Sequence, residues 1–365
     1  MHLKKIHLQH YKNLDELDLD FVDGINCLVG KNGAGKTNVL DAIYFLSFTK
    51  SYTQPLDANV VLEGEETMTL NGIYERKEKE ERVDIGVHKG QKKKVQRNLK
   101  PYKRLVEHIG EFPLTMISPT DRDLVVEGSE TRRKFIDGVI GQTDRAYLKS
   151  LLSYNKALAQ RNALLKYFAA NRNFDSDSLA PYNLQLETFG TDIFQKRMEF
   201  LKQFQPLVLD YYKRIAEDSE EVNLVYQSNL IESEWKLLFE TSLEKDRVLT
   251  YTSKGVHKDD IKFELRGQAL KKMGSQGQQK SFLIALKLAQ YQIIKDATGV
   301  KPILLLDDIF DKLDPYRVSA LIDLVNKDFF GQIFISDTHE DRMESILSRL
   351  QGEHRIFKID KGSAI

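Results

Sequence analysis

The N-terminal segment of the chain alternates apolar and polar positions and predicts short strands. The alternation covers residues 3–9 and 17–21, and a continuous apolar run follows at 25–29. Alternation is typical of strands with one buried face, whereas a short continuous run is typical of a strand buried on both faces. From Thr37 onwards the apolar residues take up helical spacing. The chain therefore opens with strands that lead into a strand, loop and helix unit.

The middle of the chain changes from strand to helix patterns. Residues 60–95 predict further strands, interrupted by a charge-dense segment at 75–82 that we interpret as a solvated turn. From 143 to 217 the spacing is helical with one break, at 171–178, which predicts a helical hairpin. Each limb has roughly 25 to 35 residues and spans about 40 to 50 Å. This length predicts a compact helical lobe and is too short for a long coiled coil.

Strand and helix patterns alternate again in the last third of the chain. The sequence predicts a helix from Gln276 to about Lys295, a buried strand at 303–306, a helix that begins at Pro315 and a strand at 332–336. Neither chain end contains a complete sheet, so both ends are expected to fold together as one α/β domain around the helical insertion. The predicted limits are 1–120 and 251–365 for the two parts of this domain and 121–250 for the helical lobe.

A glycine-rich loop lies between the predicted strand at 25–29 and the first helical pattern. Residues 30–37 fit the pattern G-x-x-x-x-G-K-[ST] in the context that distinguishes a P-loop from a chance match. Glycines let backbone N–H groups converge on phosphates, a lysine reaches the β and γ phosphates, and a hydroxyl coordinates Mg²⁺. The lysine, Lys36, is also a predicted catalytic residue, and Thr37 is a predicted metal ligand. The predicted nucleotide-binding residues of this loop are Gly30, Lys31, Asn32, Gly33, Ala34, Gly35, Lys36, Thr37 and Asn38.

Two carboxylates end the predicted strand at 303–306. Asp307 is expected to hold Mg²⁺ through its water shell, and Asp308 is expected to position or deprotonate the attacking water. Buried strands often end in acidic turns, but the P-loop earlier in the chain favours the catalytic interpretation. ATP and Mg²⁺ are therefore the predicted cofactors.

A small polar segment at 273–280 begins the helix predicted from Gln276. A helix N-terminus is an anion site, and an ordinary helix cap is the alternative interpretation. Together with the P-loop and the two carboxylates, this segment resembles the signature of the α/β P-loop head of ABC-type ATPases. In that family the signature completes the nucleotide site of the other subunit, so one copy of each motif per chain implies a homodimer. The residues assigned in this way are Ser275, Gln276, Gly277 and Gln278 in the signature and Asp314 in Leu313-Asp314, which resembles the D-loop.

Further blocks narrow the resemblance. Residues 11–14, 117–121, 128–137 and 255–260 closely resemble blocks of the RecF family of bacterial recombination-mediator ATPases. With the Walker motifs and the short helical insertion, this resemblance covers essentially the whole chain. It implies an ATP-dependent DNA-binding protein of recombinational repair, replication restart and the SOS response to DNA damage. An ATP-bound homodimer would clamp double-stranded DNA near single-strand gaps and work with RecO and RecR to load RecA, and slow, DNA-stimulated hydrolysis would reset it.

The resemblance also assigns individual residues. Lys12 and Asn13 are expected to contact the nucleotide, and Ser275 is expected to contact the γ-phosphate bound by the partner chain. Asp308 stands where many ABC-type ATPases have glutamate, and its shorter reach leaves its role as the base open. His339 follows the strand predicted at 332–336 and is either a catalytic sensor of the γ-phosphate or an ordinary loop histidine.

The 365-residue chain carries no net charge, with 54 basic and 54 acidic residues, so any DNA contact must come from a local patch. Residues 92–104 include seven basic and no acidic residues, and such a surface contacts phosphates without reading sequence. A solvated basic hairpin is the alternative. Residues 132–134 either serve similarly or pair with carboxylates. The predicted DNA-binding residues are Lys92, Lys93, Lys94, Arg97, Lys100, Lys103 and Arg104.

Composition and hydropathy favour a cytoplasmic protein without a membrane partner. The single cysteine cannot form an intramolecular disulfide, the N-terminal residues lack the apolar core of a secretory signal, and no window approaches the roughly 18 to 20 apolar residues that span a bilayer. Two rival functions stay open. The long separation of P-loop and signature disfavours an ABC transport-type subunit, and the short helical insertion disfavours an SMC-like chromosome-organising ATPase.

Overall fold

The computed structural model describes residues 1–216, 220–310, 314–326 and 329–364, which form two compact units. The first unit comprises Met1–Asp121, Arg214–Glu217 and Ile284–Ile365, and the second comprises Arg122–Lys213 and Asp218–Leu283. Both ends of the chain therefore belong to one unit, and most of the middle forms the other.

The strands and helices occur along the chain as follows. The strands are β1 (His2–Tyr11), β2 (Leu14–Asp20), β3 (Ile25–Val29), β4 (Thr67–Arg76), β5 (Lys79–His88), β6 (Lys94–Arg97), β7 (Lys100–Pro101), β8 (Leu114–Ile117), β9 (Val222–Gln227), β10 (Asp260–Leu265), β11 (Gln268–Ala269), β12 (Ile303–Asp307), β13 (Ile333–Asp337), β14 (His354–Asp360) and β15 (Ser363–Ala364). The α-helices are α1 (Lys36–Phe48), α2 (Asp123–Val126), α3 (Ser129–Thr143), α4 (Arg145–Asn171), α5 (Ala180–Ile215), α6 (Trp235–Leu249), α7 (Leu270–Met273), α8 (Gln276–Thr298), α9 (Pro315–Asn326) and α10 (Glu340–Leu347).

Two sheets build the first unit. One is antiparallel, in the order β2-β1-β4-β5-β6-β7, and the other has the order β15-β14-β3-β13-β12-β8. From β14 to β8 all neighbours in the second sheet run parallel. This sheet combines β3 from the N-terminal part of the chain with β12, β13 and β14 from the C-terminal part. The prediction that both chain ends form one α/β domain is confirmed.

The continuous apolar runs of the sequence correspond to the central strands of the parallel sheet. Every residue of β3, β12 and β13 is buried, as expected for strands covered on both faces. Helix α1 buries Val39, Leu40, Ile43 and Leu46, which recur at helical spacing, in the same core. Apolar residues of the antiparallel sheet, among them those of β1 and β4, complete this core.

The second unit contains the predicted helical hairpin. Helices α4 and α5 have 27 and 36 residues. Arg161 in α4 donates to the side chain of Asn183 near the start of α5, and Arg197 further along α5 donates to the hydroxyl of Tyr147 near the start of α4. The two helices therefore run antiparallel. A small sheet in the order β11-β10-β9 also belongs to this unit.

The arginines at the start of α3 donate hydrogen bonds to two neighbouring residues of the same unit, Asp259 and Asp260. Arg132 is buried, and its Nε and Nη2 donate to the two carboxylate oxygens of Asp260 at 2.8 and 3.1 Å. Arg133 donates to the backbone carbonyl of Asp259. Bidentate pairing of this kind fixes a guanidinium in place. Of the two interpretations for residues 132–134, pairing with a carboxylate is therefore confirmed for Arg132.

The charged segment at 75–82 is mostly strand. Strands β4 and β5 continue into it, and only Lys77 and Glu78 form the turn, with φ of 51° and 59°. The prediction of a solvated turn over the whole segment is wrong, because Tyr74 and Val83 on the buried face keep the strands paired on either side. The predicted domain limits stay a prediction, and residues 251–283 lie in the second compact unit.

Candidate nucleotide site

The carboxyl ends of three neighbouring strands meet at one edge of the parallel sheet. Strand β13 lies between β3 and β12, with Asp337 opposite Val29 and Ser336 opposite Asp307. The loop that follows β3 and the acidic ends of β12 and β13 therefore lie side by side. Ligands of open parallel sheets bind at this edge.

Glycines shape the loop between β3 and α1. Gly33 and Gly35 have φ of 81° and 113°, a region that residues with a side chain rarely adopt. A Cβ atom on Gly35 would lie 2.6 Å from Cδ2 of Leu14. The loop runs directly into α1 at Lys36, so the first N–H groups of the helix are positioned for an anion.

Lys36 is buried within this loop. Its Nζ donates to the carbonyl oxygens of Gly30 and Lys31 at 2.7 and 2.9 Å. Burial lowers the pKa of the Lys36 amine, and the carboxylates of Asp308 and Asp307 act in the opposite direction. Phosphate oxygens are stronger acceptors for an ammonium group than carbonyl oxygens are. The lysine can therefore exchange its present acceptors for those of a nucleotide.

Thr37 and Asp307 are in direct contact. Thr37 Oγ1 donates to Asp307 Oδ1 at 2.9 Å, and Ser336 Oγ donates to the same oxygen at 2.7 Å. Burial raises the pKa of the Asp307 carboxyl, and the two hydroxyl donors partly offset this effect. Hydroxyl and carboxylate oxygens are ligands that Mg²⁺ prefers, so this donor set fits the ion. Sequence reasoning gave Ser336 no role, although a hydroxyl beside an acid at the end of an apolar strand is a usable signal.

Asp308 has a backbone conformation in the left-handed region, which is uncommon for residues other than glycine. Its φ is 48°, and its N–H donates to Ser336 Oγ at 2.9 Å. Its Oδ1 is buried and has no hydrogen-bond partner among the residues that the structure describes. A buried acceptor without a donor is unfavourable. This oxygen is consequently suited to accept a hydrogen bond from a water molecule or a ligand.

Lys12 and Asn13 lie at the turn between β1 and β2. Asn13 Nδ2 donates to the carbonyl of Gly33 at 3.1 Å, and Asn13 Oδ1 accepts from Asn38 Nδ2 at 2.6 Å. Both predicted asparagines are thus brought to the P-loop. The Nζ of Lys12 instead lies 2.5 Å from a carboxylate oxygen of the fully buried Asp41. Sequence reasoning missed Asp41, whose signal is a lone carboxylate within the apolar pattern of α1.

The signature residues form the N-terminus of α8 in the second unit. The N–H of Gln278 donates to Ser275 Oγ at 3.2 Å, and the N–H of Ser275 donates to Gln278 Oε1 at 2.6 Å, which makes a capping box. Ser275 and Gln276 are exposed, and Gly277 is partly exposed. The helix cap predicted as the alternative is therefore present. It leaves the start of α8 exposed, and its role at a partner's nucleotide stays a prediction.

Two further predicted residues precede helices of the first unit. Asp314 Oδ1 accepts from the N–H of Arg317 at 3.0 Å at the start of α9. Leu313, the other residue of the predicted D-loop, lies outside the described residues. His339 is exposed and directly precedes α10, and its N–H donates to Asp337 Oδ1 at 2.7 Å. His339 follows β13 at the same sheet edge as the P-loop, and its role as a γ-phosphate sensor stays a prediction.

The predicted DNA-binding residues lie on and around the hairpin of β6 and β7. Two of them have acidic partners: Lys93 Nζ lies 2.9 Å from Asp57, and Arg97 pairs with Glu81 and Glu111. Structural ion pairs therefore engage these two cations. The exposed cations are Lys92, Lys94, Lys100, Lys103 and Arg104.

Comparison with known proteins gives the family. A family model described as an AAA domain matches residues 5–240, more than half of the chain. The DNA replication and repair protein RecF of Flavobacterium johnsoniae is 52% identical over 359 residues, which cover 98% of this chain and 100% of that protein. The chain belongs to the RecF family. RecF of Phocaeicola vulgatus is 45% identical over 99% of this chain and 97% of its own length.

Solved structures agree with the fold. A structure of the recombination mediator protein RecF with ATP, in the RecFOR pathway, has a TM-score of 0.90 and 30% identity and covers 100% of this chain and 97% of that chain. An Smc head domain from Pyrococcus furiosus has a TM-score of 0.57 at 15% identity, covers 100% of this chain and 95% of that chain, and shows the fold alone. The predicted α/β P-loop ATPase head with an inserted helical lobe is confirmed. Among the described helices of this RecF-family chain, none is long and apolar enough to cross a membrane.

Proposed function

We propose that the chain is an ATP-dependent DNA-binding protein in which ATP joins two copies into a clamp on duplex DNA near single-strand gaps. Its proposed role is recombinational repair and replication restart in the cytoplasm. RecO and RecR are the proposed protein partners, and loading of RecA is the proposed outcome. Slow, DNA-stimulated ATP hydrolysis would open the clamp. The observation that carries the proposal is the set of contacts among Thr37, Asp307, Asp308 and Ser336 beside the P-loop.

These contacts support binding of ATP together with Mg²⁺. Lys36 and the N-terminus of α1 would bind the phosphates, while Thr37 and Asp307 would hold the ion. When bound, Mg²⁺ neutralises charge on the transferred phosphoryl group. Asp308 Oδ1, which has no hydrogen-bond partner among the described residues, would accept a hydrogen bond from the attacking water and orient it. His339, which follows β13, would contact the γ-phosphate and so sense whether it is present.

The position of the signature supports the dimer. Ser275 is exposed at the start of α8, where the positive end of the helix dipole attracts an anion. One chain has a single P-loop and a single signature, so two chains would form two equivalent composite sites around two ATP molecules. In such a dimer each ATP would contact both protomers, so ATP binding would stabilise the interface.

Replacing Ser275 by arginine should block ATP-dependent pairing and leave ATP binding to the monomer intact. The larger arginine side chain at this exposed cap would clash with the nucleotide bound by the partner. Ser275 is not part of the chain's own P-loop, so ATP binding by the monomer should not change. Sedimentation velocity with ATP and Mg²⁺ measures pairing, and a fluorescent ATP analogue measures binding. Ser275→Thr keeps the hydroxyl and the cap and should pair normally. Loss of ATP binding by the isolated Ser275→Arg monomer would contradict the assignment in trans.

The DNA contact is proposed for the exposed cations of the β6 and β7 hairpin. Lys92, Lys94 and Lys100 are exposed there, and no acidic residue occurs in residues 92–104. Contacts between such cations and phosphates are independent of base sequence and weaken as salt rises. This mode of binding suits a protein that acts on DNA of any base sequence.

A further inference from the structure

The hairpin of β6 and β7 ends in an unusual turn. Arg97 pairs with Lys100, and the two residues between them, Asn98 and Leu99, have φ of 51° and 64°. Two-residue turns of this kind strongly favour Asn-Gly, since both residues need positive φ and glycine adopts it without strain. In this turn the second residue is leucine, although glycine is the favoured residue at that position.

Leu99 differs from the other residues that have this backbone conformation. Among the described residues, the non-glycine positions with positive φ are otherwise histidine, lysine, threonine, glutamate, asparagine, arginine or aspartate. Leu99 is also 68% exposed. The fold therefore holds an apolar side chain in solvent on a backbone conformation that leucine disfavours. Strained residues of this sort concentrate at functional sites.

The surroundings of Leu99 identify the chemistry of its partner. Lys94 and Lys100 lie on the two strands of the hairpin and are exposed, and Lys92 is exposed just before it. In the described part of the chain none of these lysines has an ion-pair partner. The turn itself is anchored, because the N–H of Asn98 donates to the carbonyl of Arg82 and Asn98 Oδ1 accepts from the N–H of Arg82, both at 2.8 Å. An anchored tip with one apolar residue among cations is complementary to a polyanion that has apolar surface between its charges.

We propose that Leu99 is an apolar wedge for duplex DNA, which enters the minor groove at a base step while the flanking lysines bind phosphates. This inference rests on the proposed DNA-binding function and adds the residue that contacts bases. Proteins that bind the minor groove insert leucine and similar side chains between base pairs and partly unstack them. Such insertion is most favourable at flexible or interrupted positions of the duplex. Gapped DNA offers a position of this kind at each junction.

Replacing Leu99 by glycine tests the wedge without disturbing the turn. Glycine suits φ of 64°, so the thermal unfolding midpoint should stay the same or rise. With ATP and Mg²⁺ present, affinity for duplex DNA should fall about ten- to hundredfold, because the burial of one leucine side chain contributes an effect of about this size. The slope of log affinity against log salt should not change, because no phosphate contact is lost. Lys100→Ala should instead reduce that slope by about one.

Three matched measurements complete the test. Leu99→Met keeps a flexible apolar side chain and should bind as the unsubstituted chain does, and Leu56→Ala, at another exposed leucine of the first unit, should have no effect. A 2-aminopurine probe placed at a duplex junction should brighten on binding of the unsubstituted chain and less so with Leu99→Gly. Equal affinity and equal fluorescence for the two chains would overturn this inference alone. A Leu99→Gly effect on self-association with unchanged DNA affinity would also overturn it, whereas failure of the unsubstituted chain to bind DNA contradicts the proposed function as well.

Discussion

Replacing Asp308 by asparagine should slow ATP hydrolysis about 100-fold or more and leave ATP binding intact. General acid–base and water-orienting groups contribute effects of this size. Asparagine has nearly the same shape and tolerates the left-handed φ of 48° that this position requires, so the fold should be kept. Its amide cannot accept a proton. Asp308 Oδ1 is buried and has no hydrogen-bond partner in the described part of the chain, and asparagine replaces one of the two carboxylate oxygens by an NH₂ donor.

The same substitution should trap the ATP-bound dimer. If ATP joins two chains and hydrolysis separates them, a chain that binds but does not hydrolyse ATP accumulates as the dimer. Sedimentation at micromolar concentration with ATP and Mg²⁺ measures this, and phosphate release measures hydrolysis. Asp308→Glu, which restores the acid found in many ABC-type ATPases, serves as the matched control and should keep more activity than Asp308→Asn. An Asp308→Asn chain that stays monomeric with ATP bound would contradict the role of ATP in the interface.

Replacing Arg161 by methionine should destabilise the second unit by about 3 to 5 kcal/mol, the usual cost of leaving one charge of a buried pair alone. Arg161 and Asp246 have fully buried side chains and are 2.8 Å apart. The arginine also donates to Asn183 in α5 and to the hydroxyl of Thr252. Its removal therefore leaves the buried carboxylate of Asp246 without its cation. It also removes the hydrogen bonds by which α4 is linked to α5 and to α6.

The stability of the second unit can be followed by one fluorophore. Trp235 is the single tryptophan of the chain, lies buried in this unit and donates to the hydroxyl of Thr191 at 3.0 Å. Its emission during urea unfolding should show a midpoint lowered by about 2 M for Arg161→Met. Lys134→Met removes the cation of an exposed pair with Glu130 and should change the stability by less than about 0.5 kcal/mol. Equal midpoints for Arg161→Met and the unsubstituted chain would contradict this account of the pair.

The elements that carry the nucleotide site were predictable because each has a strong local pattern. The apolar runs that become β3 and β12 are short and continuous, and the P-loop has fixed glycine and lysine spacing. The contact between Thr37 and Asp307 could only be inferred from the combination of motifs, since the two residues are 270 positions apart. No local pattern identifies Asp41 as the partner of Lys12, because that pairing depends on how β1 packs against α1.

Local charge patterns were less informative. The basic run at 92–104 predicts a charged hairpin surface. Composition does not tell which of its cations are exposed to solvent and which form ion pairs with acidic residues from other parts of the chain. Arg97 pairs with Glu111 and Lys93 with Asp57, and both acids lie outside the run. The sequence gives a weak indication that Arg161 is buried, since Arg161 lies on the same helical face as Leu158 and Leu165. Its buried partner comes from a different helix, which a periodicity argument does not reveal.

The most direct test of the central claim is ATP-dependent DNA binding by the full chain. Fluorescence anisotropy with and without ATP and Mg²⁺ should be measured on gapped duplex, plain duplex and single-stranded DNA, with Lys36→Ala as the control. ATP should tighten binding to gapped duplex about ten- to hundredfold, and Lys36→Ala, which removes the P-loop cation, should abolish this gain. Equal binding with and without ATP on every substrate would contradict the clamp, and the absence of any DNA binding would contradict the proposed function.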